Sequence, residues 1–185
     1  MKRVVKWLTI LLPVLFAVFI GGAYVLPADV SVRRSIVVDA PPAKVFPLVN
    51  DLKAFSQWSP WSAADPKLSV TFAGPDAGAG QSMTWASDNP NVGKGTQTIT
   101  ASEPDRRVSS ALDFGDMGKA TAYFELAAEG AGTKVTWGLD TTMNSPFERW
   151  LGLWLDGAIG AEYERGLVRL KALAETGAVP QQSIP

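Results

Sequence analysis

The chain of 185 residues is long enough for one domain, and its 46% hydrophobic and 19% charged residues are typical of a globular protein. A net charge of −1 provides no basic stripe for phosphates, which argues against nucleic-acid binding. The sequence contains no Cys and no His, which excludes a Cys nucleophile, a Ser-His-Asp triad and a His or Cys metal site. A site for Ca²⁺ or Mg²⁺ built from carboxylates is still possible, but no DxDxDG-like loop supports one. We predict no catalytic residues, no metal and no cofactor.

The first element is an uncharged stretch of 20 residues, Trp7–Leu26, which predicts a transmembrane helix. A helix of that length spans about 30 Å, the thickness of the hydrocarbon core of a bilayer. Trp7 and Tyr24 lie near its ends, where aromatic rings favour the membrane interface. Three basic residues lie within positions 1–6, so we expect the N-terminus in the cytoplasm and the remaining chain outside it.

A cleaved signal peptide is the alternative interpretation, because Gly21-Gly22-Ala23 offers small residues at the spacing that cleavage needs. The full length of the apolar stretch favours the membrane anchor. Both interpretations export the domain to the periplasmic or extracellular side. A linker at residues 27–30 would keep the anchored domain close to the bilayer.

Residues 31–40 predict a first strand, and Asp39-Ala-Pro-Pro then begins a helix, because prolines suit a first helical turn. Pro47 lies inside this helix, so we expect a break or a kink there. Asp51–Trp58 predicts a second short helix, which Pro60 should end.

The long middle part of the chain alternates short β-type runs with clusters of Gly, Pro, Asn and Asp, and it has no helical period. Consecutive strands joined by short turns predict an antiparallel meander that is apolar on one face. The six strands predicted here are 67–73, 81–87, 94–103, 106–114, 118–127 and 133–141.

Ser145-Pro-Phe-Glu148 predicts the start of the last helix, because it forms a capping box with Pro at the first helical position. Gly177 is the expected stop, and residues 177–185 are expected to form a disordered tail. Glycines such as Gly160 and Gly166 would let this helix approach the sheet closely. An apolar stripe at three- and four-residue spacing should lie on the sheet. The stripe consists of Leu151, Leu155, Ile159, Tyr163, Leu167, Leu170 and Ala174.

Two segments carry a resemblance to a known superfamily: Ile36-Val-Val-Asp-Ala-Pro-Pro-Ala-Lys-Val-Phe-Pro-Leu-Val-Asn-Asp-Leu and Phe55-Ser-Gln-Trp-Ser-Pro-Trp. They resemble the opening of START-like (SRPBCC) domains, and more narrowly the bacterial polyketide cyclase/dehydrase and lipid-transport proteins. The turn Glu103-Pro-Asp-Arg-Arg and the last helix fit as well, so the resemblance covers residues 31–176. It implies an α+β helix-grip fold, in which a curved antiparallel sheet of about seven strands wraps the long C-terminal helix.

A helix packed against a concave sheet leaves an apolar cavity unless large side chains fill the space. We predict that apolar and aromatic residues of both elements bind a ligand there. The alternative is that they fill the core. Trp58-Ser-Pro-Trp61 in particular is either a gate at the cavity mouth or a packed turn that closes one end. The candidate ligand-binding residues are Phe55, Trp58, Trp61, Met83, Trp85, Phe114, Trp137, Leu151, Leu155 and Ile159.

The first two turns of the last helix are apolar on every side, which indicates burial or contact with lipid or a partner. Trp150, Leu153 and Trp154 lie off the main stripe, so we predict membrane or partner contact for them. Burial under a neighbouring loop is the alternative. Alternation should point Asp113 and Asp140 outward, away from any cavity, so neither is expected to transfer protons there.

Three functions are consistent with these features. The first is a non-catalytic domain, anchored in the bacterial inner membrane, that binds or carries an apolar small molecule or a lipid. The second is an enzyme of the cyclase or dehydrase type, which would need a carboxylate and a Tyr facing the cavity. The third is an accessory subunit that docks a membrane protein through the apolar start of the last helix, and a filled interior would favour it.

Overall fold

The computed structural model describes residues 2–180, and of residues 2–6 and 8–10 it describes the backbone alone. The helices of this range are α1 (Lys2–Ala23), α2 (Pro42–Asn50), α3 (Leu52–Trp58), α4 (Pro60–Ala64) and α5 (Pro146–Thr176). Its strands are β1 (Asp29–Val38), β2 (Ser69–Ala73), β3 (Ser82–Ala86), β4 (Lys94–Glu103), β5 (Arg107–Asp113), β6 (Lys119–Glu129) and β7 (Gly132–Thr142). A single 3₁₀ turn, Gly115–Met117, joins β5 to β6.

The seven strands form one antiparallel sheet in the order β1-β7-β6-β5-β4-β3-β2. Strands β2 to β7 follow one another as a meander, and β1 pairs with β7 from Asp29↔Thr142 to Val38↔Thr133. Alternation along the strands gives the sheet one apolar face, against which the helices pack. The predicted strands and the α+β helix-grip architecture are therefore confirmed.

Helix α5 begins and ends where its end signals predict. The Ser145 hydroxyl accepts a hydrogen bond from the Glu148 amide (3.2 Å), and the Glu148 carboxylate accepts one from the Ser145 amide (3.0 Å). These two bonds form the expected capping box, and the backbone donors lower the pKa of Glu148. Gly177 ends the helix in the left-handed conformation, with a φ of 75°.

Two glycines let α5 lie close against the sheet. A Cβ at Gly160 would overlap the guanidinium of Arg34, and a Cβ at Gly166 would stand 2.7 Å from the ring of Trp137. The Arg34 guanidinium bridges β1 to α5, because it donates to Glu164 (2.7 Å) and to Asp156 (3.0 Å). The helix is thereby held along β1 over the apolar face.

The expected break at Pro47 is not observed, whereas the expected end of the second short helix before Pro60 is. Helix α2 continues through Pro47 without a break, and buried Val45 and Val49 on either side of the proline fasten it to the core. Pro60 ends α3 but also begins α4, as a proline in a first helical turn can. Near the C-terminus, Val179 packs against the core, and residues 181–185 of the expected tail lie outside the described residues.

Helix α1 carries most of the segment that was expected to span a membrane, and it ends at Ala23 rather than Leu26. Within the described part of the chain, no helix is long and apolar enough to cross a bilayer, so the predicted transmembrane helix is not supported. The described side chains of α1 that are large, apolar and exposed are Trp7, Leu11, Leu12, Val14, Leu15, Phe16, Val18 and Phe19.

Candidate ligand-binding cavity

One half of the space between the sheet and α5 is filled by aromatic rings. We call this set the aromatic cluster: Phe55, Trp58, Phe124, Trp137 and Tyr163. Trp137 stacks on Tyr163, with 3.9 Å between ring centroids and an interplanar angle of 9°. Trp58 meets Trp137 edge-on at 5.3 Å, a favourable geometry for aromatic pairs. The cluster joins α3 and α5 to the inner face of β6 and β7.

Trp58 belongs to this packed half and lies outside the cavity wall. Its side chain is fully buried, and its indole N–H donates to the Leu48 carbonyl at 2.9 Å. Arg169 of α5 donates to the Trp58 carbonyl at 3.0 Å. For Trp58 the interpretation as a packed turn therefore fits, whereas Trp61 lies in the cavity wall and packs edge-on against Trp137.

The interior also contains a cavity, which lies over a part of the sheet where β6 carries small side chains. Along the inner face of β6, the large residues Phe124 and Leu126 lie toward one end of the strand, and the small residues Ala120 and Ala122 lie toward the other. On β5, Ser110 lies opposite Ala122. The volume of the cavity is about 250 Å³. Of these small residues, Ala122 lines the cavity, and α5 does not fill the space above it.

Seven of the ten predicted ligand-binding residues contribute to the wall of this cavity. The other three are Trp58, Leu151 and Leu155. Leu151 is exposed on α5, and Leu155 packs against the core without reaching the cavity. The seven residues in the wall are Phe55, Trp61, Met83, Trp85, Phe114, Trp137 and Ile159.

The cavity reaches the surface between the β3–β4 loop and the 3₁₀ turn after β5. Met117 of that turn lines the cavity and is 73% exposed. Trp85 frames the opening: its indole N–H donates to the Val92 carbonyl (3.3 Å), and its ring meets Phe114 edge-on at 5.8 Å. Gly95 makes room for this ring, since a Cβ there would lie 2.6 Å from it.

The ionisable groups that were considered for catalysis point away from the cavity. Asp113 binds Lys119 at 2.9 Å and Asp140 lies 3.9 Å from Arg33, so both face outward as predicted. The pKa of Asp113 is lowered, chiefly by the hydrogen bond from Lys119. Among the described residues, the cavity wall contains no Asp, Glu, Lys or Arg.

Tyr163 is the one group in the wall with a phenolic hydroxyl, considering the described residues alone. Burial raises the pKa of this hydroxyl far above its ordinary value, so it stays protonated at every physiological pH. A neutral hydroxyl can donate a hydrogen bond to a ligand but cannot act as a base there.

Sequence reasoning missed several wall residues. Leu112 and Leu139 belong to strands whose alternation was recognised, but the loop Pro90–Gly93 and Met117 follow no pattern that predicts a wall. Gln97 was missed because β4 reads as a polar strand. One signal could have found it: Gln97 stands two residues before Ile99, the one large apolar residue of β4, and so shares its face.

The apolar residues at the start of α5 have different surroundings: one contacts α1 and two are exposed. Trp150 packs on α1, where its indole N–H donates to the Phe19 carbonyl (3.1 Å) and its ring stacks on Phe19 at 5.8 Å. Trp150 thus has a partner within the chain, which the sequence could not reveal. Leu153 and Trp154 are 55% and 77% exposed, and their contact with a membrane or a partner stays a prediction.

Comparison with known proteins identifies the family. Residues 29–175 match the family described as polyketide cyclase / dehydrase and lipid transport. The chain belongs to this family. The match covers the sheet and almost all of α5, and it includes every residue of the cavity wall. No curated protein matches the chain closely enough to count as a relative.

Solved structures support the same START-like fold. An NMR structure of a protein from Arthrobacter aurescens is 16% identical, with a TM-score of 0.60 over 83% of this chain and 90% of that one. The KanY protein is 16% identical, with a TM-score of 0.60 over 79% and 97%. DynU16, from the dynemicin biosynthetic locus, is 19% identical, with a TM-score of 0.58 over 82% and 49%. At these identities the similarity concerns the fold of this family member and not its ligand.

Proposed function

We propose that this domain binds a compact, mostly apolar small molecule in its interior cavity and does not transform it. The observation that carries the proposal is the cavity itself, which lies over Ala122 beside the aromatic cluster. An apolar wall favours an apolar ligand, because transferring such a surface out of water is favourable. The opening beside Met117 gives the ligand a path to and from the surface.

The size of the cavity narrows the class of ligand. Its volume of about 250 Å³ is below the range of roughly 300–1,000 Å³ that is usual for ligand pockets. A ligand of one or two fused rings fits this volume better than a whole phospholipid with two acyl chains. The proposal therefore favours a small apolar molecule over the lipid that was the other candidate ligand.

A cyclase or dehydrase activity is the second candidate, and the Tyr163 hydroxyl in the wall favours it. A protonated phenol can polarise a ligand carbonyl by donating a hydrogen bond. The inward-facing carboxylate that would complete the predicted pair is not present among the described wall residues. Binding without chemistry therefore remains the better supported function.

The proposal can be tested by titrating purified protein with 2-methylnaphthalene while following the Trp fluorescence, to which Trp61 and Trp85 of the wall contribute. We expect saturable binding at one site. Ala122→Leu should abolish it, because the added side chain enters the cavity. Ala127→Leu is the matched control, since Ala127 lies on the same strand but is exposed. Equal binding by both variants, or no saturation with the wild-type chain, would contradict the proposal.

We also propose that α1 attaches the domain to the bacterial inner membrane, with the domain on its outer side. The uncharged sequence Trp7–Leu26 and the exposed apolar side chains of α1 support this. Leu153 and Trp154 lie on the turns of α5 next to Trp150, which contacts α1, so the same surface would meet the headgroups. We expect the protein to stay in the membrane fraction after a carbonate wash. Release by the wash, or a mature N-terminus at Tyr24, would contradict the anchor.

A further inference from the structure

Gln97 is a buried polar side chain in the middle of the apolar wall. It lies on the inner face of β4, opposite Met83 on β3 and Leu112 on β5. These residues belong to a row that crosses the sheet from Phe72 on β2 to Ala120 on β6. Gln97 is the one polar member of that row, it is 7% exposed, and it lines the cavity.

A second buried glutamine shows what a purely structural role requires. Gln81 is fully buried, and its carbonyl oxygen accepts a hydrogen bond from the Leu52 amide at 2.8 Å. Its amide nitrogen donates to the Asp76 carbonyl (2.7 Å) and to the Asp51 carboxylate (2.8 Å). All the hydrogen-bonding groups of Gln81 are thus used within the protein.

The amide of Gln97 is only partly used. Its nitrogen donates to the Ser110 hydroxyl at 3.2 Å, which holds the amide plane in place. Over residues 2–180, no protein donor reaches the Gln97 carbonyl oxygen. Every side-chain nitrogen or oxygen that is fully enclosed in this same range has a partner. The Gln97 carbonyl is therefore not fully enclosed, and the open space beside Gln97 is the cavity.

We infer that the Gln97 carbonyl accepts a hydrogen bond from the ligand, and that the ligand carries a hydroxyl group on its otherwise apolar body. This inference rests on the proposed function. The ligand hydroxyl donates to the Gln97 carbonyl, and the bond between Gln97 and Ser110 fixes the direction in which that carbonyl points. A site that leaves a polar group unpaired without its ligand discriminates strongly against analogues that cannot pair with it.

The test uses two probes of nearly the same shape, 2-naphthol and 2-methylnaphthalene, of which only the first carries a hydroxyl. The ratio of their dissociation constants is measured in the wild-type chain and in Gln97→Met, which keeps the side-chain length but removes the amide. We expect the preference for 2-naphthol over 2-methylnaphthalene to fall by about tenfold in the variant, the usual effect of one buried hydrogen bond.

The control is Thr96→Val. Thr96 is the neighbour of Gln97 on the outer face of β4, where its hydroxyl pairs with Thr84 at 3.2 Å, so this variant should leave the ratio unchanged. A third probe, 2-methoxynaphthalene, accepts hydrogen bonds but does not donate them, and it should lack the preference in the wild-type chain. This arm needs no variant and so does not depend on how Gln97→Met folds.

The outcomes separate the two proposals. If 2-methylnaphthalene binds and the ratio is the same in Gln97→Met, the role of Gln97 is wrong while the proposed function stands. A preference for 2-methoxynaphthalene as large as that for 2-naphthol would also overturn the role of Gln97. If none of the three probes binds, the proposed function fails and the inference fails with it.

Discussion

Strand β6 runs through two regions that share one face of one sheet but are packed differently. At Phe124 and Leu126 the face lies in the buried core, and Phe124 packs against Trp58 and Trp137 of the aromatic cluster. At Ala122 the same face borders a cavity. The backbone is continuous and the pairing with β5 is regular throughout. The difference therefore lies in side-chain volume, which the backbone geometry does not determine.

This contrast explains how one domain can be both stable and hollow. Filled volume contributes dispersion contacts and apolar burial, while an empty volume of this size forfeits them. The aromatic cluster ties α3, α5 and the sheet together, so the hollow half is not needed to hold the elements in place. The stability lost through missing contacts around the cavity is thus offset by the packing of the aromatic cluster.

The contrast predicts that the same truncation has different costs in the two regions. Leu126→Ala in the packed half should lower the free energy of unfolding by about 3 kcal/mol, within the range of about 2–5 for such changes. Leu112→Ala in the cavity wall should cost about half as much or less, because Leu112 already borders empty space. Urea unfolding of both variants measures this, and equal costs would break the distinction.

Substitutions that enlarge a side chain should also cost more stability in the packed half than beside the cavity, with smaller effects than the truncations. Gly166→Ala places a methyl group 2.7 Å from the Trp137 ring and should destabilise the fold by about 1–3 kcal/mol. Ala122→Leu adds three carbons beside the cavity and should change stability by less than about 1 kcal/mol. Thermal unfolding compares the two variants. If Ala122→Leu were the more damaging, the hollow half would in fact be closely packed.

The contact between Arg34 on β1 and Asp156 on α5 predicts a small dependence of the free energy of unfolding on pH. This effect involves neither the aromatic cluster nor the cavity. The hydrogen bond from Arg34 lowers the pKa of Asp156. The stability it adds is complete above the ordinary carboxyl pKa of about 3.9 and is lost as the pH falls through the lower value of the folded state. Asp156 is well exposed, so the loss should stay below about 1 kcal/mol.

Urea unfolding at about pH 6 and about pH 3 measures this loss, with Asp156→Asn as the control. The variant should show a smaller loss on acidification than the wild-type chain. An equal loss in both would mean that the bridge contributes nothing. Because the bridge lies on the outer part of α5, the affinity for 2-methylnaphthalene should be the same wherever the protein stays folded.

The sequence predicts the architecture well for local reasons. Several features depend only on residues that are close in sequence, so the sequence alone predicts them. They are the capping box at Ser145, the left-handed stop at Gly177 and the two-residue alternation of the strands. The residues of the cavity wall can be predicted only in part from the sequence. Trp58 and Trp61 are three residues apart and chemically alike, yet one is fully buried and the other lines the cavity.

The remaining differences arise from contacts between distant parts of the chain. Trp150 looked available for an external partner because its contact with Phe19 joins residues that are far apart in sequence. The sequence did not single out Gln97, because the wall around it is composed of side chains from five strands, α3, α4 and α5. Such contacts depend on the register between strands and on where α5 crosses them, and neither is encoded in a local pattern.

The hollow interior is tested most directly by ¹³C-methyl NMR of the methionines. Met83 and Met117 line the cavity, whereas Met143 lies outside its wall. On titration with 2-methylnaphthalene, ring currents should shift the methyl signals of Met83 and Met117 in a saturable manner, while Met143 stays still. Shifts that never saturate, or that affect Met143 as strongly as the two cavity residues, would contradict a ligand-binding cavity in this domain.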